Sequence, residues 1–134
     1  MKDRVLIDTS VWIEYFRNTR SGLLKQIDEM LSQSSVYVPK VVIAELVQGA
    51  HSGKELSVIQ DFIDAFTVVG EGTDTWLKAG KLSYLLRKKG KTVSLTDCYI
   101  ATIAAEQNCA ILTLDKHFKD IEKESKVNLI PPLT

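Results

Sequence analysis

Arg4-Val5-Leu6-Ile7-Asp8-Thr9-Ser10-Val11 and Ala110-Ile111-Leu112-Thr113-Leu114-Asp115 decide how this chain folds. Each is a short apolar run that ends against an acid. Unbroken apolar runs suit strands covered on both faces, as in a parallel sheet with crossover helices. Carboxylates at the ends of such strands gather outside the carboxyl edge, where open α/β sheets place their ligands. Two more acids stand among apolar neighbours. Glu45 interrupts Val41-Val42-Ile43-Ala44-Glu45-Leu46-Val47, and Asp97 opens the helical stretch through Cys98-Tyr99-Ile100-Ala101.

Working outward, strands are expected at Val5–Asp8, Val36–Val38, Thr67–Val69, Ala110–Leu114 and Asn128–Ile130. Helical spacing falls between them. Val11, Trp12, Ile13, Tyr15 and Phe16 mark a first helix, capped by Thr9 or Ser10. Leu23 to Leu31 carry a second, and Lys40 to Gln48 a third that Gly49 stops at the C′ position. Leu56, Ile59, Phe62, Ile63 and Phe66 mark a fourth. Trp76 to Lys89 form a fifth, stopped by Gly90. Thr96 to Gln107 form a sixth, with Ser94 or Thr96 as cap, and a short turn of helix follows Asp115. With no repeat, low-complexity tract or linker, the 134 residues read as one α/β domain, residues 1–134, around a mainly parallel five-stranded sheet.

Composition narrows the class. At 45% hydrophobic residues the chain has enough apolar mass for one core, and seventeen basic residues balance seventeen acidic ones. A neutral total argues weakly against nucleic acid, although it can hide an acidic pocket beside a basic rim. No signal-peptide core and no stretch long enough to cross a bilayer is visible. Cys98 and Cys109 would lie roughly 16 Å apart along a helix, beyond disulfide reach. They read as buried, reduced side chains of a cytoplasmic protein.

Any one of the four acids could be a cap or a solvated surface group. Together, Asp8, Glu45, Asp97 and Asp115 point to a site. Several negative charges in one cleft need protons or cations to compensate them, and no run of Lys or His accompanies them. Carboxylates without thiolate or imidazole companions select Mg²⁺ or Mn²⁺ over zinc. Such an ion can generate a hydroxide nucleophile and stabilise a leaving oxygen, which suits phosphodiester cleavage. The hydroxyls of Thr9, Ser10 and Thr113 stand beside the acids and can orient them.

Val5-Leu6-Ile7-Asp8-Thr9-Ser10-Val11, Glu45-Leu46-Val47-Gln48-Gly49, Leu95-Thr96-Asp97-Cys98-Tyr99-Ile100-Ala101 and Ile111-Leu112-Thr113-Leu114-Asp115-Lys116-His117-Phe118 resemble the motifs of PIN-domain ribonucleases. The resemblance is nearest to VapC-type toxins of bacterial type II toxin–antitoxin systems, and it spans the chain in order. It implies a three-layer α/β/α sandwich and a Mg²⁺- or Mn²⁺-dependent endoribonuclease that cuts structured RNA, often tRNA. It also implies a homodimer and inhibition by a VapB-type antitoxin. Asp8, Glu45, Asp97 and Asp115 take the family's acidic positions as catalytic residues, with Asp8, Asp97 and Asp115 on the metal. Ser10 and Thr113 match its polar supporting positions. The alternative is a catalytically silent PIN domain that binds RNA or protein.

Two departures stand out. Glu106-Gln107-Asn108-Cys109 has Asn where the family often has Gly, and Asn also tolerates the left-handed conformation of a helix end. Lys116 and His117 fill the space where some relatives carry another acid. His117 stands close enough to Asp115 in sequence for a ligand or a proton shuttle, but reads first as a solvent-facing residue of a short helix, and His51 as ordinary surface.

Arg87, Lys88, Lys89 and Lys91 lead into the loop before Asp97. They are candidates for holding RNA phosphates, with Arg17 and Arg20 as further ones. Cations at a helix C-terminus also simply stabilise its dipole. Trp12, Tyr15 and Phe16 are core, or a groove that receives an antitoxin segment. Trp76, Leu82, Tyr84, Leu85 and Leu86 carry more apolar surface than one core-facing stripe needs, which suits a dimer interface.

Overall fold

Val5, Leu6 and Ile7 are all buried, so the first strand is covered on both faces, and it takes the centre of the sheet. The computed structural model describes residues 3–134. Its elements run β1 (Arg4–Ile7), α1 (Thr9–Arg17), α2 (Ser21–Gln33), β2 (Ser35–Pro39), α3 (Lys40–Gln48), α4 (Gly53–Ile63) and β3 (Thr67–Val69). They continue with α5 (Thr75–Lys88), α6 (Leu95–Glu106), β4 (Ala110–Leu112), α7 (Phe118–Glu124) and β5 (Leu129–Ile130). The five strands lie in the order β3-β2-β1-β4-β5. All four pairings are parallel, so the expected mainly parallel sheet is parallel throughout.

Parallel neighbours need crossovers, and two helices fill most of them here. α1 packs on α2 and α3, and α3 on α4; α5, α6 and α7 pack among themselves. The result is the expected α/β/α sandwich. Chain order reverses at β1: β2 and β3 are added on one side, and β4 and β5 on the other. The carboxyl ends of β1 and β4 therefore flank the switch point, where a crevice opens in folds of this kind.

The second half of the core is centred on α6. Cys98 to Ala104 are buried without a break, so this helix has no solvent face along those residues. Burial pushes both cysteine thiols up to about 11, and both are free. That makes them inert core groups. On the other face, Trp12 is fully buried and packs against Tyr15, Phe16, Phe62 and Phe66, with ring centroids 4.7–6.1 Å apart.

Several boundaries differ from the expected ones, each for a local reason. Asp8, rather than Thr9 or Ser10, occupies the N-cap position of α1, and its backbone carbonyl accepts from Val11 and Trp12. β4 ends at Leu112 because the Thr113 and Ser10 hydroxyls take over the next backbone N–H groups. Phe66 lies beyond the end of α4, in the turn that leads to β3. Gly49 is the C-cap of α3 with an ordinary φ of −83°, so that helix ends without a left-handed residue. Left-handed geometry does occur at Gly90 (φ 75°) and Asn108 (φ 56°). Each follows a cap whose next two N–H groups return to the last turn, Gly90 and Lys91 to Arg87 and Leu86, Asn108 and Cys109 to Ala105 and Ala104. These are Schellman closures. No helix is long and apolar enough to cross a membrane among the described residues.

Gly80 and Gly90 give a paired test, since a Cβ at either meets open space. Gly80 lies within α5, so Gly80→Ala should stabilise the fold by about 0.5–1 kcal/mol. Gly90→Ala should destabilise it by about 1–2 kcal/mol, because only the backbone conformation resists the methyl group. Urea denaturation of both variants reads out the opposite signs.

Candidate active site

The strand-to-helix junction after β1 presents the first acid. Asp8 is 4% exposed, and its main chain donates to the Leu112 carbonyl of β4 at 3.0 Å. Its side chain makes no cap bond to α1. Instead Asp8 Oδ2 accepts two hydroxyls, from Ser10 at 2.9 Å and from Thr113 at 2.8 Å. Both hydroxyls are themselves fixed: Ser10 Oγ accepts from the Leu114 N–H and Thr113 Oγ1 from the Asp115 N–H. With each proton donated to Asp8, the carboxylate is held in one orientation.

Asp97 sits in the first turn of α6, whose N-cap Ser94 accepts from the Asp97 N–H at 3.1 Å. The positive end of the helix favours a negative side chain there. Asp115 follows β4, and its Oδ1 accepts from the backbone N–H of His117 at 2.9 Å. Glu45 is half-buried on α3, and its Oε1 accepts the Thr9 hydroxyl at 2.8 Å. That helix is less enclosed than the expectation from its neighbours, since Ala44, Val47 and Gln48 face solvent. The three aspartates are electrostatically one cluster. Glu45 joins it through Thr9, which lies next to Asp8 in the chain.

Proton affinities report the crowding. Asp97 is pushed up to about 7, first by burial, then by the charges of Asp115 and Asp8. Asp8 is also raised, chiefly by burial, although the hydroxyls of Thr113 and Ser10 pull the other way. Among the described residues, no lysine or arginine forms a salt bridge with Asp8, Asp97 or Asp115. Burial and mutual charge thus both favour the protonated form of the buried acids.

His117 is exposed, as expected, and its Nδ1 also lies 2.9 Å from Asp115 Oδ1, so the surface position and the place beside Asp115 hold together. One ligand atom from each of Asp97, Asp115 and His117 falls within 4.8 Å of the others. The expectation that no imidazole accompanies the acids fails at this position. The signal was its spacing, two residues past Asp115 in a turn. The donors that converge fit a divalent ion, two carboxylates and one imidazole; Asp8 lies outside that close group and reaches it through its charge.

The outer residues divide. Lys89 pairs with Glu124, and Lys91 with Asp120 at 3.8 Å, which ties both to α7. Arg87 and Lys88 lie over the Tyr84 ring at 6.0 and 5.5 Å. Beside Glu45 is a cleft of about 560 Å³, lined by Ile13, Phe16, Arg17, Leu46, His51 and Val58 among others. Of the three aromatic groove candidates, Phe16 alone lines it; Trp12 is core, and Tyr15 donates to Asp28 at 2.9 Å. On α5, Trp76, Tyr84 and Leu85 are exposed, as is Leu77, which the sequence reading passed over. Leu86 is core.

Three aspartates gathered near the switch point of a parallel sheet, with hydroxyls holding the first of them, form an acidic site where open α/β folds bind their ligands. A family profile described as PIN domain matches residues 5–124, and the chain belongs to that family. It is 28% identical over 124 residues to the VapC ribonuclease Mb1587 of Mycobacterium bovis, covering 89% of this chain and 92% of the relative. It is 25% identical over 123 residues to ribonuclease VapC1 of Methanocaldococcus jannaschii, covering 91% and 84%. In fold it is similar to a solved structure of VapBC2 from Rickettsia felis bound to a promoter DNA fragment. That match has a TM-score of 0.78 at 18% identity and covers 95% of this chain and 97% of the other. A structure of Mycobacterium tuberculosis VapC20, a sarcin–ricin loop cleaving toxin, gives 0.68 at 14% identity, covering 87% and 94%.

The raised Asp97 sets a sign for stability against pH. An unfolded aspartate ionises near its ordinary value, whereas the folded one resists until about 7. Below both values the charge is absent and nothing is lost; as pH rises through that window, wild type loses stability, and the loss is complete above it. In EDTA, Asp97→Asn should match wild type near about pH 4 and exceed it by about 1–3 kcal/mol near about pH 8. Denaturant melts across that range check it.

Proposed function

We propose that this chain is a Mg²⁺- or Mn²⁺-dependent endoribonuclease of the VapC type, acting on structured RNA, with tRNA the first candidate substrate. The observation that carries this reading is the aspartate cluster: burial first, and then the charges of Asp115 and Asp8, push Asp97 up to about 7, and among the described residues no Lys or Arg forms a salt bridge with it. A divalent ion, when bound, supplies a water of lowered pKa and positive charge near the leaving oxygen. Asp8, Asp97 and Asp115 would hold it. Everything else falls to the chain's own groups. Ser10 and Thr113 keep Asp8 aimed, Asp97 gives up its proton as the ion enters, and Glu45, fixed by Thr9, orients the attacking water.

RNA phosphates would be gripped by Arg87 and Lys88, which carry no ion pair, with Lys89 and Lys91 partly committed to α7. A VapB-type antitoxin segment would lie in the cleft beside Glu45. That placement is supported by the cleft's apolar lining and by similar solved structures being toxin–antitoxin complexes. Exposed Trp76, Leu77, Tyr84 and Leu85 support a homodimer through α5. The free, unreactive cysteines are consistent with a cytoplasmic protein.

Antitoxin-free protein incubated with a total tRNA pool should give discrete products with Mg²⁺ or Mn²⁺ and none with EDTA. Asp8→Asn and Asp97→Asn should abolish cleavage while keeping the wild-type circular dichroism spectrum. Wild-type rates in either variant would sink the site; a metal-binding, folded wild type that cuts no RNA would favour a silent binding domain. Thr113→Val removes one donor to Asp8 and should weaken metal binding by about 10–100-fold, as calorimetric titration would measure.

A further inference from the structure

His117 is set by the backbone, not by a free rotamer alone. The Asp115 carbonyl accepts from Phe118 at 3.2 Å, which closes residues 115–118 into a turn ahead of α7. Within that turn the His117 N–H donates to Asp115 Oδ1, which orients the carboxylate. The imidazole then comes over the same oxygen, Nδ1 to Oδ1 at 2.9 Å. Two neighbouring ligands of an octahedral ion bound at about 2.1 Å stand about 3.0 Å apart. The spacing therefore fits two ligands of one ion as well as it fits a hydrogen bond. Asp97 completes the group, its ligand atom within 4.8 Å of the other two.

The chemistry of this donor set differs from carboxylates alone. Mg²⁺ and Mn²⁺ both take carboxylate, carbonyl and water oxygens, but Mn²⁺, a first-row transition ion, accepts an imidazole nitrogen more readily than Mg²⁺ does. Among the described residues His117 is the nitrogen donor of the group, beside the carboxylates of Asp97 and Asp115. Its side chain is more than half exposed, so an entering ion meets it at the rim before reaching the buried Asp8.

We propose that His117 is a direct nitrogen ligand of the bound ion, beside Asp97 and Asp115, and makes this site select Mn²⁺ over Mg²⁺. The inference rests on the metal-dependent reading of the same site. A ring that only steers Asp115 would help both ions equally; a nitrogen ligand helps Mn²⁺ more than Mg²⁺.

The test is binding, not cleavage. Free Mn²⁺ is followed by electron paramagnetic resonance as it titrates wild type, His117→Ala, His117→Gln and Asp97→Asn, and Mg²⁺ affinity is obtained by competition. Circular dichroism verifies that each variant is folded. His117→Ala and His117→Gln should each weaken Mn²⁺ binding by about tenfold or more. Mg²⁺ affinity should stay within about twofold of wild type, so that the preference for Mn²⁺ collapses. Nitrogen coupling to the bound Mn²⁺ should appear in wild type and vanish in both variants. Equal losses for the two ions, or no change in either, would overturn the His117 assignment while leaving the metal site standing. If folded wild type binds neither ion, or Asp97→Asn binds both as wild type does, the metal reading itself fails and this inference with it.

Discussion

Three carboxylates brought together at the carboxyl ends of β1 and β4 repel one another, and much of the local structure exists to hold them against that repulsion. Asp8 is almost wholly buried, where an ionised carboxylate is costly unless hydrogen-bonded. The Ser10 and Thr113 hydroxyls meet that cost by donating to one of its oxygens. Each hydroxyl also accepts a backbone N–H just past the end of β4, which orients it toward Asp8. The early end of β4 at Leu112 is thus part of the site: the strand gives up pairing where its N–H groups are needed to orient hydroxyls. Asp97 meets the same problem with the N-terminus of α6 and with a retained proton. The fold tolerates this crowding of buried acids, and titratable groups displaced in this way cluster at functional sites.

The sheet order makes the arrangement available. Because β1 is central and its neighbours β2 and β4 lie on opposite sides of it, the ends of β1 and β4 flank the point where chain order reverses, the place where open α/β sheets bind ligands. α6 serves both the core and the site. Its unbroken burial from Cys98 to Ala104 fixes the helix rigidly, and that rigidity places Asp97 in its exposed first turn. Site geometry carried on such elements is better defined than geometry carried on loops. Glu45 is the exception, reached through the Thr9 hydroxyl from a helix with a solvent face, and it stands where the acidic site meets the neighbouring cleft.

Much of the architecture was legible in the chain. The runs at Val5–Ile7 and Ile111–Leu112 lack a polar face, which only a doubly covered strand accommodates, and all five strands lie where apolar runs predicted them. Lys40–Gln48 was read to the residue, and the left-handed Gly90 and Asn108 follow from what those side chains permit. Boundaries slipped where a side chain competed with the backbone, as at Asp8 and Thr113. They slipped also at Phe66, whose apolar character serves the aromatic cluster from beyond its helix.

Local pattern thus determined the parallel α/β class and which acids terminate its strands, since periodicity and strand-end chemistry act between near neighbours in sequence. Tertiary structure alone decided which groups meet. Asp8 and Thr113 are bonded across 105 positions, and Thr9 and Glu45 across 36. The turn folds His117 back onto Asp115, and Asp97 closes on them from a different helix. Tertiary packing likewise took Trp12 out of any groove and spent Lys89 and Lys91 on α7. A charge or an aromatic ring reads the same in sequence whether it faces water, a partner or the core. Only the folded chain sets its neighbours, and with them its proton affinity and its chemistry.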